Sequence, residues 1–282
     1  MIKVLEAGLL TSVQDSGRFG FAEIGVPISG AMDLYSLELS NRILNNDIAD
    51  AVLEITLSKT KFQFIEATEI CITGADFSPT LNGDLVPLNT RIIIHKDDVL
   101  SFGKINYGVR CYVAVKGGIL SEKILNSRSF YQSITKKIRV ENGDVLPIST
   151  IKSLGKKPNT SVKINHLHFK NNILKCYKGP EFEQLTKESQ QKLINKKFTI
   201  SKDNSRMGYK LVEPLINFKS NQILTSSVIP GTVQLTPSGI LIILMRDCQV
   251  TGGYPRILQL TEASINCLAQ KYTNQPISFS II

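Results

Sequence analysis

"GILIILMRDCQVTGGYPRI", residues 239–257, sets a short aliphatic run directly before a loop crowded with functional groups. The run from Ile240 to Met245 is far too short to cross a bilayer and reads as a buried β-strand. Behind it come Asp247, Gln249, Thr251, Gly252, Gly253, Tyr254, Pro255 and Arg256. A plain surface turn does not need an acid, an amide, a hydroxyl, two glycines and a phenol. The stretch reads as a strand that delivers a binding loop, a usual place for functional side chains on a rigid sheet.

The same design recurs along the 282 residues. "KFQFIEA", "EICITGADF", "RIIIHKDDVLSFG" and "VRCYVAVKGG" are β-branched or alternating and bounded by Gly, Asp, Asn or Pro, the mark of short strands. "NGD" at 82–84 and again at 142–144 reads as two hairpin turns. "MDLYSLELSNRILNN" is the exception: Leu34, Leu37 and Leu44 fall on one helical stripe, with Asp33 in the first turn. The later half repeats the style with "SSVIPGTVQL", "GILIILM" and "ISFSII" as strands. Two helices are expected there, "TKESQQKLINK" capped by Thr186 and "EASINCLAQKY" preceded by Thr261. The polar stretch "IKSLGKKPNTSVKIN", 151–165, is the candidate boundary, giving domains 1–155 and 156–282. The expected fold is mainly β with a few helices, in two β-rich barrels or sandwiches.

Five cysteines, widely spaced and without a CxxC, argue for a reducing compartment over a disulfide framework. With no long apolar segment in "MIKVLEAGLL", a cytoplasmic location is expected, with no membrane partner. The formal charge of +9 is uneven: residues 121–220 hold 20 Lys/Arg against 8 Asp/Glu, and the remainder 13 against 16. The lysines are scattered pairs with little aromatic interleaving, so a solvated surface is expected and no nucleic-acid partner. There is no GxxxxGK[ST], GxSxG or HExxH. "HLH" at 166–168 puts two imidazoles on one face of an expected strand. No third ligand lies near in sequence, so no metal site is expected.

Candidate site residues follow from the polar ends of the strands. "TSVQDSGRFG" offers Asp15 and Arg18 around Gly17. "LEITL" alternates Glu54 and Thr56 with apolar neighbours. "ITGADF" presents Asp76, and "DNSRMGYKL" presents Arg206 before a glycine. Taken singly, a turn-capping acid or an exposed arginine explains most of these. Only the stretch from Asp247 to Tyr254 carries too many kinds of group for that.

Taken together, "GLLTSVQDSGRFGFAEIGVPISGAMD", "LEITL", "ITGADF", "NSRSF", "DNSRMGYKL", "SSVIPGTVQL" and "DCQVTGGYPRI" stand in the order of the biotin-dependent carboxyltransferase-like family, which this chain resembles over nearly its whole length. The resemblance implies two cyclophilin-like β-barrel domains. It also implies a similarly built B-type partner and, in the 5-oxoprolinase branch, a further A-type partner. The sequence departs from the family pattern in two places. "YQSITKKIRVENGDVL" is lysine-rich where glycines are usual, and "CYKGPEF" stands where relatives have an "LPGPQ"-like segment, with Glu181 in the last matched polar position.

The family offers three functions. A C-type component of an ATP-dependent 5-oxoprolinase, which opens 5-oxoproline, is the expectation, since the chain is compact. A carboxyltransferase acting on urea or a similar amide would require a biotin carrier, and no Met-Lys biotin-acceptor motif is present. The third is a non-catalytic antagonist of a kinase inhibitor. The resemblance then casts Asp15, Asp76 or Asp247 as a general base or magnesium-phosphate ligand, and Arg206 or Arg18 as the grip on a carboxylate or phosphate. Glu54, Thr56, Gln249, Thr251, the Gly252–Gly253 backbone and Tyr254 complete the substrate-binding set. ATP with magnesium is expected to be shared with partner proteins. Cys248 is not expected to be a nucleophile, because no histidine is placed to activate it.

Overall fold

The computed structural model describes residues 1–151, 154–155, 162, 166–215 and 223–282. They form two compact units. The first holds Met1–Arg18 and Ser29–His166, the second Phe19–Ile28 and Leu167–Ile282. The boundary expected at 155/156 falls at the edge of residues outside the described set. Among the described residues no helix is long and apolar enough to cross a membrane.

The first unit is built of two antiparallel sheets sharing one core. The six-stranded sheet runs Val145–Leu146, Ile2–Glu6, Lys61–Phe64, Val99–Ser101, Thr80–Leu81 and Asp84–Leu85 in spatial order. The five-stranded sheet runs Leu10–Gln14, Val52–Thr56, Tyr107–Val115, Thr68–Asp76 and Arg91–Ile94. Val4, Phe62, Phe64 and Leu100 from one sheet meet Leu53, Ile55, Ile70, Ile72, Cys111 and Val113 from the other. The strands Thr68–Asp76 and Tyr107–Val115 are buried almost throughout, for a reason that period-two geometry supplies. Their odd and even residues face two different cores. Cys71, Tyr112 and Ala114 point away from the sheet–sheet interior and pack with Leu37 and Leu44 of the helix Leu34–Leu44, α1. Asp33 caps α1 one residue before its first turn, accepting from Ser36 N, and Lys116 Nζ donates to the carbonyls of Leu44 and Asn45 at its other end.

The second unit contains a closed barrel. Its seven strands, in order around the wall, are Ile173–Lys178, Arg256–Leu260, Thr232–Leu235, Leu241–Leu244, Gly208–Leu211, Phe198–Asn204 and Pro276–Ile281. The last returns to the first as the one parallel pairing among the described strands. Closure removes the exposed strand edge that a seven-stranded open sheet would present. The helix Leu167–Lys170, α2, precedes the barrel. Lys187–Asn195, α3, and Glu262–Leu268, α4, begin at Thr186 and Thr261, whose hydroxyls accept from Ser189 N and Ser264 N. A ribbon of two two-residue strands, Ser226–Ser227 with Thr251–Gly252, pairs as a sheet of its own.

Several expectations of detail are corrected. "HLH" is not strand: Leu167–Lys170 is helical, His166 lies edge-on to Tyr107, and His168 Nδ1 is 3.7 Å from Cys267 Sγ. The first "NGD" is a hairpin turn, with Asn82 and Gly83 both at positive φ between paired Leu81 and Asp84. The second is not, since only Val145–Leu146 continues as a strand from it and pairs with Ile2–Lys3, while Asn142 Oδ1 accepts from Ala7 N. "SSVIPGTVQL" and "RIIIHKDDVLSFG" are each divided into two strands by a turn. In both, a Pro-Gly or Asp-Asp turn signal inside an apolar stretch outweighs its β propensity.

Candidate functional site

The predicted residues fall into two groups, one in each unit. In the first unit Asp15 follows the strand Leu10–Gln14 and is buried. Its Oδ1 accepts from Gly17 N at 2.8 Å, Ser127 Oγ at 2.7 Å and Ser129 Oγ at 2.6 Å, and its Oδ2 from Arg128 N at 2.6 Å. An ionised carboxylate has about four lone-pair sites, and here four donors converge on them. Asp15 therefore joins "QDSGR" to "NSRSF" across more than a hundred residues. Arg18, 1% exposed, donates to the carbonyls of Ser129 and Ile124. Both groups hold backbone in place.

Glu54 lies under the N-terminus of α1. Its Oε2 accepts from Met32 N at 2.8 Å and Tyr112 Oη at 2.9 Å, while Oε1 is 3.8 Å from Arg110 Nε. Burial and the neighbouring Glu54 carboxylate push the Tyr112 phenol well above its ordinary range, so it remains a donor. Thr56 sits opposite Arg110 on the adjacent strand. Asp76 is half-buried and accepts from Ser78 N at 2.8 Å and Asn106 Nδ2 at 3.0 Å, which is the geometry of a turn cap.

The second unit gathers the rest. Arg206 and Asp247 form a bidentate pair, Nε to Oδ2 at 2.7 Å and Nη2 to Oδ1 at 3.0 Å, with both side chains largely buried. Backbone bonds from Met245 N to Met207 O and from Asp247 N to Arg206 O lock the two loops that present them. This fork geometry is the strongest ion-pair arrangement a side chain offers, and it fixes the guanidinium plane. Past Asp247 the chain turns over a small apolar floor of Val228, Leu244 and Cys248. Gln249, Thr251, Gly253 and Tyr254 are exposed along this loop, with Gly252 half-buried between them. Cys248 is buried and its thiol is pushed up to about 12, chiefly by burial, which disfavours the reactive thiolate.

Sequence reasoning missed the groups that brace this loop. Glu181 accepts three bonds from Arg256, at its backbone N, Nε and Nη2, and Arg256 Nη1 donates to Ser227 O at 3.0 Å. The Arg256 guanidinium holds the Glu181 carboxyl below the usual carboxylate range. Glu181 was legible only as a departure from the family pattern. Its partner is 75 residues away, and no local signal marks the pairing. Because its folded pKa is depressed, the pair stabilises the fold above the ordinary carboxylate pKa of 4.5 and ceases to do so as pH falls below it. The stability difference between wild type and Glu181→Gln, measured by denaturant titration, is therefore expected to be largest at about pH 6–7 and to shrink steadily below about pH 4.5. A gap independent of pH would show that the carboxylate charge is not what Arg256 engages.

This arrangement of strands and polar loops has counterparts among known proteins. The family described as "Carboxyltransferase domain, subdomain A and B" matches residues 24–281. The chain is 32% identical to the C component of 5-oxoprolinase from Escherichia coli (strain K12), covering 99% of this chain and 90% of that one. The fold superposes on the crystal structure of TTHA0988 with a TM-score of 0.88 at 25% identity, covering 99% of this chain and 55% of that one. It also superposes on the K. lactis urea amidolyase with a TM-score of 0.86 at 27% identity, where the 99% of this chain that aligns spans 18% of that protein.

Proposed function

The chain belongs to the carboxyltransferase domain A and B family, and from that premise we propose that it is the C component of an ATP-dependent 5-oxoprolinase, helping to open 5-oxoproline to glutamate. The observation that carries this reading is the nearly end-to-end correspondence with the bacterial protein, 99% of one chain against 90% of the other. The partners are proposed to be B-type and A-type 5-oxoprolinase proteins.

5-Oxoproline is a lactam with a carboxylate. Its resonance-stabilised amide resists neutral water. ATP would supply the activation by phosphorylating the amide oxygen with release of ADP. Water can then add to the carbon, the ring C–N bond can break with a proton taken up on nitrogen, and phosphate is released with glutamate. The sequence has no phosphate loop, so ATP with magnesium is proposed to be shared with the partner proteins, while this chain holds and orients the substrate. Arg206, held in plane by Asp247, is the proposed grip on the carboxylate. Gln249, Thr251, Tyr254 and the Gly252–Gly253 backbone are the proposed contacts to the lactam. Asp247 is thereby a positioning residue, since its lone pairs already face the guanidinium. Asp15 and Asp76, each occupied by donors of its own surroundings, support the frame.

A second reading, a carboxyltransferase acting on urea with a biotin carrier, is favoured by the likeness to the K. lactis urea amidolyase. One assay separates them. The chain is co-purified with its two partner proteins, and ADP release is measured with 5-oxoproline, then with urea plus a biotinylated carrier. Release stimulated by 5-oxoproline alone is the expected result. Stimulation only by urea with the carrier would transfer the proposal to the second reading. A response to neither would leave a non-catalytic role.

A further inference from the structure

Gln234 is a polar group of the second unit that its surroundings do not satisfy. It lies in the strand Thr232–Leu235 and is 1% exposed. Alternation puts Val233 and Leu235 on one face of the strand and Thr232 and Gln234 on the other. Thr232 is satisfied, donating from Oγ1 to Gln259 Oε1 at 2.8 Å. Gln234 is not: its Nε2 is buried and has no hydrogen-bond partner among the described residues. The nearest candidates are engaged elsewhere. Arg256, opposite it on the next strand, is bound to Glu181 and to Ser227 O, and the other cross-strand neighbour is Ile242.

The amide is aimed at the Thr251–Tyr254 loop. A Cβ built on Gly252 would lie 2.6 Å from Gln234 Nε2, closer than real side-chain atoms approach, and 3.6 Å from Val228 Cγ1. A Cβ on Gly253 would meet only Ile223 O at 3.5 Å. Gly252 thus lies directly against the Gln234 carboxamide, which would have to swing aside for any larger residue there. Leaving a buried N–H without an acceptor destabilises a fold, and such groups in native folds call for an explanation. An apolar residue of similar length would fill the same space without that cost.

We propose that Gln234 is a substrate-binding residue, whose carboxamide donates an N–H to a carbonyl or carboxylate oxygen of the small molecule held against the Thr251–Tyr254 loop. The inference rests on the proposed reading of that loop as the substrate site. It deepens it by naming the chemistry selected: an sp² oxygen acceptor, such as a lactam or urea carbonyl. A ligand lacking that oxygen leaves the donor unpaired and is rejected, as sites built around a buried polar group reject analogues that cannot pair with it.

The test uses two variants and one direct observation. Gln234→Met removes the donor at similar volume, and Gln234→Glu replaces it with an acceptor. In the assembled complex, Gln234→Met is expected to raise KM for 5-oxoproline about five- to tenfold, with kcat within about twofold and a melting temperature equal to or above wild type. Gln234→Glu is expected to raise KM further. A lowered melting temperature with KM unchanged would mark the amide as purely structural and overturn the proposal. Separately, the full chain labelled with ¹⁵N-glutamine is titrated with 5-oxoproline and with urea. The Gln234 side-chain amide signal, identified by its loss in Gln234→Met, is expected to shift with at least one of them. If the wild-type complex turns over no 5-oxoproline, the proposed function fails while the titration still decides Gln234. A signal that neither compound moves overturns the assignment of Gln234, whatever the complex does.

Discussion

Asp247→Asn is expected to lower kcat/KM of the assembled complex by at least about a hundredfold while leaving the chain folded. Asparagine keeps the size and one acceptor oxygen of aspartate but sets an N–H₂ against one arm of the guanidinium fork, where Nε and Nη2 now meet Oδ2 and Oδ1 at 2.7 and 3.0 Å. The charge that fixes the Arg206 plane is lost, and a misplaced guanidinium no longer presents its donors to a carboxylate in register. The expected cost in stability is only about 1–2 kcal/mol, because shape and one hydrogen bond survive. Arg206→Lys should show a similar loss of rate, since an ammonium cannot replace a planar fork. The decisive measurement is the double variant. If the two residues act as one unit, Asp247→Asn with Arg206→Lys is no worse than the more damaging single change. Wild-type turnover by Asp247→Asn would remove the pair from the site.

The second large effect concerns the frame. Asp15→Ala should lower the stability of the first unit by roughly 3–5 kcal/mol, because four donors lose their acceptor at once in a buried position. Two are backbone N–H groups, Gly17 and Arg128, which cannot turn away to find other partners. Ser127→Ala, which removes one donor to Asp15 and the acceptor of Ser129 N but leaves the other three donors paired, should cost less, about 1–2 kcal/mol. Denaturant midpoints followed by circular dichroism compare the two. A loss below about 1 kcal/mol for Asp15→Ala would mean that the loop "NSRSF" is held by other contacts.

Much of the fold was legible. The helix starts at Asp33, Thr186 and Thr261 are written within four residues, as a side-chain oxygen and the backbone N–H it accepts from. Asn82–Gly83 announces its turn because those residues tolerate positive φ. The failures have equally physical causes. "HLH" looked extended because its composition is silent on helix packing, and the Tyr107 and Cys267 that its histidines meet are far away in sequence. Of the candidate site, Arg206 and Asp247 were named separately as grip and base, and the structure binds them to each other.

The sequence by itself determined the β-rich character, the helix caps, the short turns and the family, since these depend on propensities and hydrogen bonds that act within a few residues. It also marked which loops carry polar chemistry. Only the tertiary structure decided what those polar groups face. Asp15 meets Ser129 across 114 residues, Glu181 meets Arg256 across 75, and the barrel closes when Pro276–Ile281 comes alongside Ile173–Lys178. Each such meeting depends on the path of the whole backbone, because a carboxylate looks the same in sequence whether its lone pairs await a substrate or are filled by its own fold.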